Sequence, residues 1–359
     1  MLHALIMAGG GGTRFWPRSR AAKPKQFLAL AGDRTLLQQA CDRLEAQVSP
    51  ENTWIFTAEP HRAEAARELP QLPATQVVGE PAGRDTAPCI GLAAAVIHRR
   101  DPNAVMLVTP ADHVIEPAQE FRRALQAAAL TAEEHPDALV TFGIPPSFPA
   151  TGYGYIHRGA EVAQRQGVPI YAVNGFREKP GFDLAEQFVA AGDYFWNAGI
   201  FVWKTTAILH ELQEQRPELA AAVGRIADVW DTPRREEVLR REYPVAEKIS
   251  IDYAVMEKAR KVLVLRAPYK WDDVGSWLAL ERMHPQDADG NTVLATHAGL
   301  NTTHCVVVGD PGKLITTIGV SNLLIIQDGD ALLVADRREE GTVKDLVERL
   351  KQKGLTKFL

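Results

Sequence analysis

Along residues 1–145, short runs of consecutive apolar residues alternate with longer stretches whose apolar positions recur at helical spacing. The runs at 2–7, 53–57, 104–109 and 138–142 read as strands, and 104–109 is apolar enough to be buried on both faces. Residues 35–47 read as a helix, with Leu36, Leu37, Ala40, Cys41 and Leu44 on one face. Further helices are expected over 60–69, 86–99 and 117–133, with Pro88 tolerated in the first turn of the middle one. Residues 76–78 form a short extended segment. This rhythm predicts an α/β fold with an open, mostly parallel sheet and helices on both faces. Ligands in such sheets gather at the carboxyl ends of the strands.

Residues 150–285 mix short strands, aromatic turns and helices, and are expected to form a second lobe. The texture changes after about residue 290. Residues 304–308, 313–320, 322–327 and 331–335 are short β-rich runs separated by Gly-Asp turns. They suit stacked β turns or a small β-helix, although a hexapeptide period is not clean. A charged amphipathic helix is expected over 342–353. The domains expected are therefore 1–285, in two halves divided at about 145/146, followed by a β-rich segment over 290–359.

Composition narrows the class. The net charge of −5 offers no case for nucleic-acid or membrane binding. Cys41, Cys89 and Cys305 are far apart and contain no CxxC, so neither a zinc site nor a disulfide framework is expected, and a reducing, cytoplasmic setting follows. The apolar start is too short for a signal peptide, and no run approaches the ~18 uncharged apolar residues of a membrane span.

The sharpest feature is Met7-Ala8-Gly9-Gly10-Gly11-Gly12-Thr13-Arg14-Phe15-Trp16-Pro17, directly after the first strand. Four consecutive glycines reach backbone angles that other residues avoid, and they let a ligand approach the main chain. Exposed N–H groups in such a loop form an anion-binding concavity. Arg14, Arg18, Arg20, Lys23 and Lys25 follow, ready to neutralise what sits there. The loop reads as one that binds a nucleoside triphosphate. A Walker loop ends in Gly-Lys-Ser/Thr, where this chain has Gly-Thr-Arg. The dinucleotide fingerprint fails because, counting from Gly9, its third glycine falls on Arg14. A dehydrogenase is therefore disfavoured.

The stretch from Gly9 to Arg20, followed by Pro24-Lys25-Gln26-Phe27, resembles the signature of the sugar-nucleotide pyrophosphorylases. Its Arg-Phe-Trp-Pro form resembles the mannose-1-phosphate guanylyltransferase branch of that family. The resemblance implies a Rossmann-like nucleotidyltransferase domain and a short left-handed β-helix used for association, hence a homodimer. It implies GTP and mannose 1-phosphate as substrates, with GDP-mannose and pyrophosphate as products. Ala8, Gly9, Gly10, Gly11, Gly12 and Thr13 would wrap the nucleotide phosphates, while Arg14 and Lys25 hold the triphosphate and stabilise the leaving pyrophosphate. Longer members carry an isomerase domain; this chain stops before it, so isomerase activity is expected to be absent.

Gly79-Glu80-Pro81-Ala82-Gly83-Arg84-Asp85-Thr86-Ala87-Pro88 precedes a helix. Thr86 could simply be its N-cap. Alternatively, Glu80 and Arg84 recognise a base, since guanine presents N1–H and N2–H donors that suit a carboxylate. The segment resembles the family's guanine-binding stretch, which implies Glu80, Arg84 and Thr86 around the nucleotide. Asp112 follows Val108-Thr109-Pro110-Ala111 at a strand end. It is either a turn residue or a magnesium ligand, because Mg²⁺ takes a few carboxylates together with substrate phosphates. Pro110 is grouped with the nucleotide site. In Lys270-Trp271-Asp272-Asp273-Val274-Gly275-Ser276-Trp277 the acids could cap a helix; the resemblance makes Asp273 the second metal ligand and leaves Asp272 undecided. Mn²⁺ would serve as readily as Mg²⁺. His113 is read as structural.

Three further segments match the family in order: Thr151-Gly152-Tyr153-Gly154-Tyr155-Ile156, Phe176-Arg177-Glu178-Lys179-Pro180 and Trp196-Asn197-Ala198-Gly199-Ile200-Phe201. The resemblance implies that Glu178 and Asn197 bind sugar hydroxyls, that Lys179 holds the sugar phosphate, and that Gly154 and Gly199 admit the ring. Asp252 reads equally as a ligand-site carboxylate and as a helix N-terminal acid. Two rival readings remain, a GDP-mannose-sensing regulatory relative and a pyrophosphorylase of other specificity. The first is expected to lack a charged catalytic residue, whereas Arg14, Lys25, Asp112, Lys179 and Asp273 are all present.

Overall fold

The apolar N-terminal run forms the strand Leu2–Ala8, which lies parallel to Thr53–Ala58 on one side and to Val105–Pro110 on the other. The structure is a computed structural model describing residues 1–359. A nine-stranded sheet grows from that strand; in spatial order its strands begin at residues 77, 53, 2, 105, 194, 139, 262, 168 and 155. The first four are mutually parallel. Antiparallel pairing enters with Tyr194–Lys204, which is inserted between Val105–Pro110 and Leu139–Ile144. Val105–Pro110 is buried along nearly its whole length, as expected for a strand covered on both faces. The α/β class expected from the sequence is the one observed.

The helix Thr86–Arg100 is buried over eleven consecutive residues, Ala87 to Ile97. It packs with Trp54, Met106, Trp203, Ile208, Leu212 and Val223 in the largest apolar cluster. Gly91 lets it approach closely, since a Cβ there would stand 3.1 Å from Leu212. The helix expected over 35–47 is regular only over Leu36–Asp42. Beyond it the chain tightens into three-residue turns, with Leu44 N–H on Cys41 and Gln47 N–H on Leu44, and Ala46 takes a left-handed φ of 65°. Periodicity continued past the point where backbone geometry stopped being helical.

The chain divides into two units. One comprises Met1–Gly9, Ala40–Ala111 and Ile115–Trp271, and carries the nine-stranded sheet. The other comprises Gly10–Gln39, Asp112–Val114 and Asp272–Leu359. Its core gathers Phe15, Trp16, Trp277, Val306, Leu324 and Val347. Phe15 and Trp277 stand 5.0 Å apart, and the Trp277 indole donates to the Trp16 carbonyl at 3.2 Å. Here the β-rich runs stack as coils. Val306 lies beside Leu324 and Thr296 beside Leu314, an offset of 18 residues in both pairs. That regular offset is three hexapeptides, a period that is not clean at the level of residue types. The helix Val343–Gln352 follows and buries Val343 and Val347.

Candidate active site

Lys25 anchors the charged part of the site. It opens the single turn Lys25–Phe27 and is only 7% exposed. A buried ammonium must be paired and hydrogen-bonded. Its Nζ donates to Asp112 Oδ2 at 2.7 Å and to the Asp273 carbonyl at 2.6 Å, and lies 5.8 Å from the centre of the Phe15 ring. Three segments distant in sequence thus meet at one cation. Gly12 makes this possible. It has φ +56°, and a Cβ on it would fall 2.4 Å from Lys25 Cβ and 2.8 Å from Lys25 N. Burial alone would raise the Asp112 carboxyl, yet Lys25 and His113 hold it below the ordinary carboxylate range, so it is an anion at neutral pH. His113 Nε2 lies 4.0 Å from Asp112 Oδ1.

The remaining cations of the glycine loop separate. Arg14 is exposed. Arg18 and Arg20 do not join it. Arg18 donates to the Gly309 carbonyl at 3.1 Å and pairs with Asp328, while Arg20 reaches Asp330 at 2.7 Å. Both fasten the loop to the stacked coils, so two of the five cations read from the sequence are held there, while Arg14 and Lys23 are exposed. Asp272 is structural too: it accepts from Val274 N–H at 2.7 Å and pairs with Arg282.

In the sheet-bearing unit, Ala8 ends the first strand and its carbonyl accepts from Thr57 Oγ1 at 2.9 Å. Glu80 ends Val77–Glu80, and its Oε1 accepts from the Tyr243 hydroxyl. Burial pushes Glu80 up to about 7, with the Tyr243 hydrogen bond opposing. Arg84 Nε is buried without a hydrogen-bond partner. Thr86 is not the helix cap. Asp85 is, with Oδ1 accepting from Thr86 N–H at 2.8 Å, while Thr86 Oγ1 accepts from Ile251 N–H at 2.8 Å. Asp85 holds the cap from a left-handed φ of 64°.

The expected sugar residues come together in the same unit. Asn197 Nδ2 donates to Asp252 Oδ1 at 2.7 Å, its Oδ1 accepts from Gly199 N–H at 3.2 Å, and its own N–H donates to the Gly154 carbonyl at 2.8 Å. Gly154 faces Glu178 so closely that a Cβ would fall 2.4 Å from Glu178 Oε2. Glu178 Oε1 lies 3.1 Å from Lys179 Nζ, whose side chain is 62% exposed. Pro110 lies beside Gly199, 3.9 Å from where its Cβ would be. Asp252 begins the turn Asp252–Met256, and burial, then the neighbouring Glu178, raise its carboxyl to about 6. Sequence reasoning missed Tyr243, since one hydroxyl in an apolar pattern carries no signal.

The donor chemistry suits a magnesium-type ion. No group of three His, Cys, Asp or Glu forms an all-protein cage. Asp112 meets the Lys25 ammonium with its carboxylate and Asp273 with its main-chain carbonyl, and one or two carboxylates completed by phosphates and water is the set Mg²⁺ takes.

The chain matches the nucleotidyl transferase family over residues 3–290 and the MannoseP isomerase/GMP-like beta-helix domain over 295–350. A mannose-1-phosphate guanylyltransferase of Escherichia coli K12 is 39% identical over 98% of this chain and 74% of its own length. One from Salmonella typhimurium is 39% identical with the same coverage. A crystal structure described as mannose-1-phosphate geranyltransferase from Thermus thermophilus superposes with a TM-score of 0.87 at 36% identity, covering 98% of this chain and 99% of that one. The chain belongs to the nucleotidyl transferase family and, within it, to the mannose-1-phosphate guanylyltransferases.

Proposed function

We propose that this enzyme transfers GMP from GTP to α-D-mannose 1-phosphate, giving GDP-mannose and pyrophosphate. A phosphate oxygen of the sugar phosphate attacks the α-phosphorus of GTP. The new P–O bond forms as the bond to the bridging oxygen of the β-phosphate breaks in line, and pyrophosphate leaves with that electron pair. The attacking group is already an anion, so no general base is needed. What the protein must supply is positioning of two anions and positive charge for the transition state.

Lys25 and Arg14 supply that charge at the triphosphate, with the backbone of Gly9, Gly10, Gly11, Gly12 and Thr13 around the phosphates. Glu80, Arg84 and Thr86 serve the base, and Pro110 is assigned to the nucleotide side. Glu178 and Asn197 bind sugar hydroxyls, Lys179 holds the sugar phosphate, and Gly154 and Gly199 leave room for the ring. Asp112 and Asp273 would hold Mg²⁺, or Mn²⁺, which supplies Lewis-acid neutralisation of phosphate charge when bound. The observation carrying this reading is the buried Lys25 ammonium bonded to both the Asp112 carboxylate and the Asp273 carbonyl. A homodimer is part of the reading, supported by the exposed Leu300, Leu314 and Ile318 on the paired strands Thr296–Thr303 and Leu314–Ser321. So is a reducing, cytoplasmic setting, supported by three buried free cysteines. No helix is long and apolar enough to cross a membrane.

Pyrophosphate release from GTP, mannose 1-phosphate and Mg²⁺ tests the assignment, with ATP, UTP, TTP and glucose 1-phosphate as alternatives. Release that needs both GTP and mannose 1-phosphate is expected. Release with another pair would keep the mechanism and move the specificity. Binding of GDP-mannose without release would mark a regulatory relative.

A further inference from the structure

Tyr243 belongs to none of the motifs above. It opens the turn Tyr243–Val245 after the helix Arg235–Glu242 and is completely buried. Its hydroxyl donates to Glu80 Oε1. A buried tyrosine hydroxyl needs a partner, and here the partner is a carboxylate that is itself drawn out of water. Burial, then Glu80, push the Tyr243 hydroxyl well above its usual range, so it stays a donor throughout the neutral region. The other titratable groups facing it are Arg84 and Cys89. Burial, then Glu80, likewise push the Cys89 thiol up and keep it neutral. The segment that follows Tyr243 also grips the far end of the loop: Ile251 N–H donates to Thr86 Oγ1, and Ala87 N–H donates to the Ile249 carbonyl at 3.1 Å. Residues 243–251 therefore hold the Glu80 loop at both ends.

We propose that Tyr243 is a positioning residue for base recognition: by donating to Glu80 Oε1 it fixes that carboxylate as an acceptor and leaves Oε2 for the donor edge of a purine. This rests on the assignment of Glu80 to the base. The chemistry is a matter of proton count. Guanine offers N–H donors on its N1 and N2 edge, so it needs Glu80 as an anion. A protonated Glu80 would oppose donor to donor. Burial favours the protonated form, and the Tyr243 hydroxyl favours the anion. Without that hydroxyl, Glu80 would remain protonated to higher pH, and GTP binding would weaken most on the acidic side.

The test is KM for GTP and for mannose 1-phosphate, with the full chain, from about pH 6 to about pH 9. Wild type, Tyr243→Phe and Glu80→Gln are compared. Tyr243→Phe is expected to raise KM for GTP about tenfold near neutrality. It should move the acidic limb of 1/KM for GTP upward by about one pH unit. The values of kcat and of KM for mannose 1-phosphate should stay within about twofold. Glu80→Gln should raise KM for GTP at every pH and abolish the limb. If Glu80→Gln raises KM for GTP and Tyr243→Phe leaves both KM and limb at wild type, the proposal is overturned while the base assignment stands. If Glu80→Gln changes nothing, the base assignment fails and the proposal with it. If Tyr243→Phe lowers kcat, raises both KM values and lowers the melting temperature together, the role is structural and the proposal fails.

Discussion

Around Lys25 a buried cation is satisfied by an acid and a carbonyl, and the acid is driven below its normal range once Lys25 offsets the cost of burial. Around Asn197 the composition is reversed. Two carboxyls, Glu178 and Asp252, crowd a neutral amide, the only lysine is mostly exposed, and Asp252 is driven up to about 6. The first arrangement keeps charges intact, as the proposed polyphosphate site requires. The second lets Asp252 keep its proton to about pH 6, which suits the hydroxyl groups proposed to bind there, since they both donate and accept. The same residue types thus do different work because burial and neighbours differ.

The comparison is broken most directly at Asp112. Asp112→Ala removes the anion that pairs with a buried ammonium and one of the two proposed metal ligands. Turnover is expected to fall by at least ~10³-fold. Circular dichroism should show the fold retained, with a lower melting temperature because Lys25 loses its carboxylate. Near-normal turnover would remove Asp112 from both roles. Gly12→Ala comes next. Its Cβ would collide with the Lys25 main chain and Cβ, and its φ of +56° costs an alanine about 1–2 kcal/mol before any clash. A drop of ~10²-fold in kcat/KM is expected with altered protection of the loop amides. Wild-type behaviour would mean that the approach of residue 12 to Lys25 is not needed. Lys179→Ala tests the other side. KM for mannose 1-phosphate should rise about tenfold with KM for GTP unchanged. A rise confined to GTP would exchange the proposed roles of Lys25 and Lys179.

These contrasts also show what a sequence discloses. Lys25, Asp112 and Asp273 were legible because the residues around each form an ordered motif, and the structure brings all three to one point. Arg18 and Arg20 were not, since a list of cations does not say where they point; both turn to Asp328 and its neighbours, far along the chain. Thr86 resembled a cap because threonine commonly is one, but it is the first residue of the helix and its hydroxyl is taken by Ile251 N–H, so Asp85 holds the cap. The 18-residue stacking of the C-terminal coils appears in strand register and not in residue type, because only inward positions need be apolar. Tyr243 is the extreme case, since its role lies in one oxygen that no pattern of apolar positions reveals.

The smallest expected effect concerns Asp252, and its sign distinguishes the two arrangements most finely. Its carboxyl sits at about 6 in the folded chain, against 3.8 for an ordinary aspartate. The folded state therefore holds more protons than the unfolded state between those values, and stability falls as pH rises through that window. The favourable contribution is complete below the lower value and gone above the upper one. Asp252→Asn keeps an acceptor for Asn197 Nδ2 and abolishes the titration. The melting temperature of the variant minus that of wild type should be near zero at about pH 4 and should climb by a few degrees by about pH 7. Asp112→Asn, measured in the same way but below about pH 4, should run opposite. Asp112 is depressed below 3.8 in the folded chain, so in the range below that value wild type gains stability as pH rises and the variant falls behind. Parallel slopes for the two variants would mean that the like-charge crowding around Asn197 does not govern Asp252. Opposed slopes would place the two carboxylates in the two different electrostatic settings that their neighbours predict.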